Sequence, residues 1–562
     1  MILQRLCEFA DRMPDQTPSL YSTLSFKWEI DLDDDGSYLG ITELSSGDKK
    51  NRGLGILAPN IKRSGTKAPP QLLADNAKYV LGLGTGNPGE SRHFVEFRKL
   101  VEDCEKATQE IAVSAVMKFL AKHQDTPIVI DKPIEASDNV VFRVGSTRPT
   151  DIPSVRKFWL TYNTADDGNQ MQCIVCGHTG PVDRTSPVAI KGIPGGQPVG
   201  MALVSANRNA FESYGAEQAY IAPTCRNCGE GYANAINYMI RSDQHHVRIG
   251  PMMFLFWTKD DSNINVPLLL SQPNTEQVKE LIVSYQNRHE QYGVDVSAFY
   301  ALSLSASAGR VVVRDWLDTT VPAVQSNLAR WFGLQRIVEP YGTESHVFGV
   351  YGLAASLYLK PNDQMVAEIP RALVRCALFG GNLPENVMVQ AISRNRADQA
   401  VTSNRAALIK AVILSQMKGY EENYMEKLEE KCTTPAYLCG RLLAVIEVAQ
   451  KLAINPKSTL VDRFYGSASS APATVFGNLL RDFQIAYMSK LRKEKPGIHF
   501  ALDNQAQDIM SNLDGFPATL DAKEQAMFAL GYYHQKADNR AQAKAKAELK
   551  ALALQEDENH ED

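Results

Sequence analysis

The chain has 562 residues, 44% hydrophobic and 22% charged, with 59 Lys and Arg against 64 Asp and Glu and a formal net charge of −5. That length suggests about three to four folding units and enough core to fold without disulfide or metal staples. The ordinary composition excludes a disordered chain, a collagen and a wholly basic nucleic-acid wrapper, while local basic surfaces stay open because net charge is only a sum.

Met1 to Arg12 has apolar residues at helical spacing. Arg5 and Glu8 interrupt the apolar core that a signal peptide needs. The stretches Leu24 to Leu32 and Tyr38 to Leu44 alternate and are joined by Asp33-Asp34-Asp35-Gly36, which predicts a hairpin. Asp31, Asp33 and Asp35 mimic the start of a calcium loop, but Thr42 stands where a bidentate Glu is required. The segment from Ile61 to Lys67 is polar and basic and is expected as an exposed loop. Asp75 to Leu83 leads into Gly84-Thr85-Gly86-Asn87-Pro88-Gly89, and a long amphipathic helix is predicted from Ser91 to Lys122.

The middle, about residues 125 to 345, is mixed. Thr126–Ile130, Val140–Val144 and Phe254–Trp257 are strand-like, and Phe299–Ser305 with Arg310–Trp316 forms a hairpin pattern before a helix at Val321 to Phe332. From about 346 strand signals give way to helical segments at Ile369–Phe379, Leu383–Ala391, Asn404–Met417, Pro435–Ala453, Ala473–Lys493 and Ala522–His534. The longest apolar run, Val347 to Leu359, falls short of the roughly 18–20 residues that span a bilayer. The fold class expected is α+β. A mixed α/β portion at 1–345 carries a zinc-knuckle insertion at about 170–230, and an all-α helical bundle with an acidic tail follows at 346–562.

The strongest chemical signal is Cys173-Ile174-Val175-Cys176-Gly177 with Cys225-Arg226-Asn227-Cys228-Gly229. Two C-x-x-C knuckles, each followed by glycine, supply four thiolates for tetrahedral Zn²⁺, and four cysteines close the coordination shell, so the metal is expected to be structural. His178 is a spare candidate ligand. Nine cysteines in all are too few for a disulfide framework, which points to a reducing, cytoplasmic setting. Gly84, Gly86 and Gly89 match G-x-G-x-x-G, so the alternative function is a zinc-stabilised dinucleotide-binding oxidoreductase. Against it, Pro88 removes an amide from the phosphate cradle and no acid follows at the right distance.

Between the knuckles, the glycine-rich Lys191 to Gly200 offers Lys191 and Gln197 to a phosphate or base edge. His245 and His246 are adjacent and would chelate poorly, so a structural role is expected. No nucleophile elbow, Walker loop or H-E-x-x-H is present, which lowers the expectation of an enzyme. In the helical part, cations gather at positions that include Arg394, Arg396, Arg405, Lys410 and Arg441; a solvated face and a phosphate-tracking groove are both open on composition.

Six stretches then resemble one family in order along nearly the whole chain. They are Met1 to Leu6, Asp75 to Gly82, Phe211-Glu212-Ser213-Tyr214-Gly215, Arg405 to Lys410, Pro435 to Leu442 and Phe528 to His534. Together they resemble the large subunit of type I-C CRISPR Cascade, an RNA-guided surveillance complex of bacteria. The resemblance implies a non-enzymatic subunit that recognises a short duplex motif beside the target, opens the duplex, holds the displaced strand and helps recruit a helicase–nuclease. Its partners would be the guide RNA-bound backbone subunits, a small subunit that the helical part resembles, target double-stranded DNA and the helicase–nuclease, with no membrane. In this family the helical part can also be translated from an internal start, for which Met417 or Met425 is suitably placed.

The resemblance puts Lys62, Arg63, Ser64, Thr66, Lys67, Asn76 and Lys78 at the motif duplex, with Asn76 or Lys78 reaching base edges. Arg394, Arg396, Arg405, Lys410 and Arg441 become candidates for the displaced strand. Gln197, with Lys191, is a strand-separation candidate on chemical grounds. The four cysteines are not uniform in the family, which makes zinc a local stabiliser. Five acids between Glu556 and Asp562 account for the whole net charge, so −5 never argued against DNA.

Overall fold

The computed structural model describes residues 2–14, 18–45, 47, 53–61, 63, 68–84, 87–164, 170–206, 208–260, 264–287, 297–341, 344–419 and 424–558. They form two compact units: Met1–Ile190 with Ala202–Ile236, and Lys191–Met201 with Asn237–Asp562. The change from strand to helix near 346 falls inside the second unit.

In the first unit the predicted hairpin is present as Trp28–Leu32 paired antiparallel with Tyr38–Glu43. It does not begin at Leu24, because the chain changes partner at Lys27: Tyr21–Phe26 pairs instead with Leu54–Pro59. Trp28–Leu32 also runs parallel to Asn139–Val144, which pairs antiparallel with Ala74–Asn76. The sheet is thus ordered Tyr38–Glu43, Trp28–Leu32, Asn139–Val144, Ala74–Asn76. As an inner strand, Trp28–Leu32 buries Glu29, and the guanidiniums of Arg148 (2.7 Å) and Arg143 (3.3 Å) neutralise it.

One face of this sheet carries Trp28, Ile30, Val140 and Phe142, packed with Phe94, Phe97 and Val101 of Arg92–Thr108 and Val116 and Leu120 of Ile111–Asp125. The single helix expected from Ser91 to Lys122 is therefore two. Gln109 adopts a left-handed conformation (φ 55°) and its amide closes on Glu105 O, a C-cap built without glycine. Thr126–Ile130 is irregular chain rather than a strand, and Val129 is exposed. β-branched composition alone did not supply a pairing partner there.

In the second unit Arg310–Thr320, Ala298–Ser307, Met252–Thr258 and His246–Ile249 form an antiparallel sheet in that order. The predicted hairpin and the Phe254–Trp257 strand thereby close into one sheet. Phe254, Phe256 and Phe299 on one face share a core with Leu328 and Trp331 of Val321–Gln335 and with Leu373, Ala407 and Leu530 of later helices. That common core is why the last strand, Ser345–His346, marks no break in packing. His245 and His246 bond backbone carbonyls, of Phe256 and of Met239 and Ser242 respectively.

The remaining helices include Glu368–Phe379, Glu385–Asp398, Ser403–Gln416, Pro435–Ile454, Val461–Ala468, Pro496–Ser511 and Ala522–Glu558. Pro472–Asp482 continues through a π turn, Phe483–Met488, into Ser489–Glu494, which matches the helix expected over Ala473–Lys493. Pro435–Ile454 and Ala522–Glu558 meet at two glycines. A Cβ on Gly440 would lie 2.0 Å from Phe528 O, and one on Gly531 would lie 2.1 Å from Tyr437 O. Beside that crossing the buried Glu447 accepts from Tyr532 Oη (2.6 Å) and pairs with Lys536 and Lys451. Among the described residues no helix is long and apolar enough to cross a membrane.

Candidate metal centre and nucleic-acid interface

The first knuckle sits at the tip of a hairpin, Gln170–Gln172 against Thr179–Pro181. The chain turns there because Gly177 takes φ +76°, its amide donating to Cys173 O while Cys173 N donates to His178 O. The second knuckle lies at the start of the helix Arg226–Arg241, and Gly229 N donates to Cys225 O. Gly229 therefore needs no left-handed backbone. Its value is close packing, since a Cβ there would come within 3.0 Å of Pro187. Backbone contacts join the two: Ile174 N donates to Pro223 O, and Val182 bridges Cys225. Arg226 adds a two-pronged ion pair to Asp183 (2.5 and 3.2 Å), just beyond the hairpin. The spacing of the cysteines gave no sign of that clamp, which joins residues 43 apart.

The result brings the sulfurs of Cys173, Cys176, Cys225 and Cys228 within 4.8 Å of one another. Cys176 Sγ and Cys225 Sγ are 3.8 Å apart, the edge of a tetrahedron with metal–sulfur bonds of about 2.3 Å. Burial works against the Cys173 thiolate, but the amides of Cys176, Cys225 and Val175 donate to its sulfur and the thiol falls to about 7. Burial pushes Cys225 and Cys228 up, and the neighbouring sulfurs push Cys228 further. Thiols this close repel once ionised, and a divalent cation removes that repulsion, so the donor set fits zinc. His178 is exposed and is not one of the group. Cys7 reaches the centre only from behind, its thiol contacting Cys228 O at 3.5 Å.

Of the expected motif-contacting residues, Lys62, Ser64, Thr66 and Lys67 lie outside the described residues. Arg63 is committed inward. Its guanidinium forms a two-pronged pair with Asp75 (2.9 and 2.5 Å) and sits 4.9 Å from the centre of the Tyr79 ring. Asp75 is 5% exposed and also accepts the amides of Gln71 and Asn76. Burial raises its carboxyl nonetheless, with Arg63 and the amides opposing. Tyr79 Oη donates to Ala68 O (2.6 Å), so Arg63 and Ala68 are both tied to the segment from Asp75 to Tyr79. Asn76 and Lys78 follow Asp75 at the strand-to-helix junction. Lys78 is exposed, and Asn76 Oδ1 is buried with no partner among the described residues. His93, which no motif singled out, packs its ring edge-on against Tyr79 at 4.8 Å. Burial, helped by Lys78, lowers its proton affinity.

Lys191 and Gln197 are exposed. Lys191 N donates to Asn237 Oδ1, and Gln197 borders the hairpin turn at Gly309, where an added Cβ would lie 3.3 Å from its amide nitrogen.

Two of the helical cations cannot serve a strand. Lys410 is 1% exposed and donates to the carbonyls of Gly333 and Arg336, at the end of the helix Val321–Gln335. Arg405 is 6% exposed and is bound to Asp398, Ser356 O and Asn395. Their expected strand-contacting role is corrected by burial: both hold the core. Arg394 is half-buried and pairs with Asp398, Arg441 is half-buried and bonds Gln535, and Arg396 is exposed.

The glycine run does not join a strand to a helix. Ala74–Asn76 is followed by the short helix Ala77–Val80, Gly89 lies in a 3-10 turn with its amide given to Asn87 Oδ1, and Gly86 lies outside the described residues. Nothing here supports a dinucleotide site.

Residues 4–539 match the family model described as CRISPR-associated protein (Cas_Csd1), while no curated protein matches the chain. A match over nearly the full length, on a fold with a mixed α/β part, a four-cysteine cluster and a helical C-terminal region, fixes the assignment: the chain belongs to the Cas_Csd1 family of CRISPR-associated proteins.

Proposed function

We propose that this protein is the non-catalytic large subunit of a type I-C Cascade. In this role it recognises the motif beside the target, promotes duplex opening and R-loop formation, holds the displaced strand and helps recruit a helicase–nuclease. The observation that carries the proposal is the family match from residue 4 to 539. Base pairing with guide RNA supplies sequence selection, so the protein's own task is a short duplex contact and phosphate binding.

Asn76 and Lys78 are the groups proposed for the base edges. They stand at the strand-to-helix junction after Asp75, Asn76 as a half-buried amide and Lys78 as an exposed ammonium. Arg63 is proposed to brace the segment from Asp75 to Tyr79 through its pair with Asp75 rather than to contact DNA. Zinc at Cys173, Cys176, Cys225 and Cys228 is proposed as a structural ion that locks the knuckle hairpin to the helix Arg226–Arg241. Arg396, with Arg394 and Arg441, remains proposed for the displaced strand. Gln197 and Lys191 remain proposed for strand separation.

The test uses the complex assembled with guide RNA, backbone subunits and small subunit. Asn76→Ala with Lys78→Ala is expected to weaken binding to motif-bearing duplex by roughly tenfold or more, since a good base contact contributes about 1–3 kcal/mol. Binding equal to wild type would remove these residues from the proposal.

A further inference from the structure

The strand Arg310–Thr320 lies at the edge of its sheet and carries an irregularity. Ser303 pairs with Asp315 and Leu304 with Val313, so Arg314 is the extra residue of a bulge. A bulge re-aims side chains, and here it leaves Arg314 exposed, with Nε held 2.8 Å from Ser305 Oγ. Asp315 turns inward, its side chain 4% exposed.

Two arginines from one face of Glu368–Phe379, four residues apart, converge on that carboxylate. Arg371 bonds it through Nε (2.8 Å) and a terminal nitrogen (3.0 Å) and also donates to Arg314 O. Arg375 reaches the same carboxylate at 2.9 Å and lies over the Phe379 ring at 5.1 Å. One guanidinium neutralises one carboxylate; the second cation and Arg314 are surplus, even with Glu368 acting on Arg371 from its own helix. The side chains of Arg371 and Arg375 keep 39% and 54% of their surface exposed. Guanidiniums fixed by a buried acceptor, with free edges facing solvent, are preorganised for a second acceptor of the same chemistry, and a phosphodiester presents it.

We propose that Arg314, Arg371 and Arg375 form a phosphate-contacting site for a nucleic-acid backbone. This rests on the nucleic-acid role proposed above and adds a site that no cation run in the sequence marked. Arg371 is the positioning residue, holding Asp315 and the bulge; Arg314 and Arg375 make the contacts.

The experiment measures binding of the assembled complex to duplexes with and without the adjacent motif across a salt series, for wild type and for Arg314→Gln with Arg375→Gln. Each lost phosphate contact lowers the slope of log K against log salt by about 0.7 for a single strand or 0.9 for a duplex. The double variant is expected to lose roughly 1.4–1.8 of slope, with motif preference unchanged, while Arg375→Lys keeps most of its share. An unchanged slope overturns the site. Wild-type binding that ignores the motif overturns the functional proposal instead, while the slopes still decide this one. Failure of wild type to bind DNA at all overturns both. Because Arg371 still neutralises Asp315, the variants should melt with wild type; should the double variant fail to fold, Arg314→Gln alone, which gives up only a serine hydroxyl, carries the same test at half the slope.

Discussion

Replacing Gly440 with alanine places a methyl carbon 2.0 Å from Phe528 O and 2.8 Å from Tyr532 N, both backbone atoms of the partner helix. Neither can rotate aside. Ordinary carbon contacts begin at about 3.5 Å, so the two helices must separate by more than 1 Å. That separation loosens the contacts around the crossing and strains the buried bonds Tyr532–Glu447 (2.6 Å) and Tyr437–His534 (2.9 Å). Overpacking of this kind costs typically about 1–3 kcal/mol, and against rigid backbone the upper part of that range applies. Opposing it, alanine in a helix interior gains about 1 kcal/mol over glycine. The net expectation is a loss of roughly 1–2 kcal/mol, read as a lower urea midpoint by circular dichroism at 222 nm. Gly477, inside Pro472–Asp482 with nothing within 4 Å of an added Cβ, is the internal control and should gain stability as alanine. If Gly440→Ala also gained about 1 kcal/mol, the close helix crossing would be refuted.

Cys225→Ser should lower bound zinc from one equivalent to well below one half and reduce the melting temperature, and chelation of wild type should mimic it; a full equivalent in the variant would exclude the four-sulfur site. Arg63→Ala leaves Asp75 buried without its cation and should cost about 3–5 kcal/mol, partly restored by Asp75→Asn in the same chain; wild-type stability of Arg63→Ala would show that the buried pair contributes nothing. Burial lowers the Lys410 ammonium to about 8. Between pH 8 and 10 the unfolded lysine still holds its proton while the folded one releases it, so stability rises with pH in this window. Wild type should gain on Lys410→Met across that range, and parallel pH profiles of the two would contradict the desolvated-lysine account.

Much of the local structure was legible because it rests on short-range pattern. Period-two alternation marked the stretches Leu24 to Leu32 and Tyr38 to Leu44, which contain the paired strands Trp28–Leu32 and Tyr38–Glu43, and the hairpin before Val321–Gln335, and cysteine spacing marked a centre whose sulfurs converge. What escaped depends on distant partners. Lys410 looked like a surface cation because the carbonyls that hold it belong to residues 74 and 77 positions earlier. Arg371 and Asp315 are 56 apart, and no local rule joins them. The break at Gln109 was hidden because the left-handed cap is a glutamine, with neither glycine nor proline to announce it. Lys191–Met201 looked like an insert between the knuckles, yet it groups with the second unit while the knuckles belong to the first.

On the function proposed, this chain gives the guided complex its sensitivity to the duplex motif. The measurement is the affinity of the assembled complex for targets of identical guide complementarity with and without the adjacent motif, made with this protein present and then omitted. A preference of roughly tenfold or more that appears only when the protein is present is expected. The same preference in its absence, or none in its presence, would contradict it.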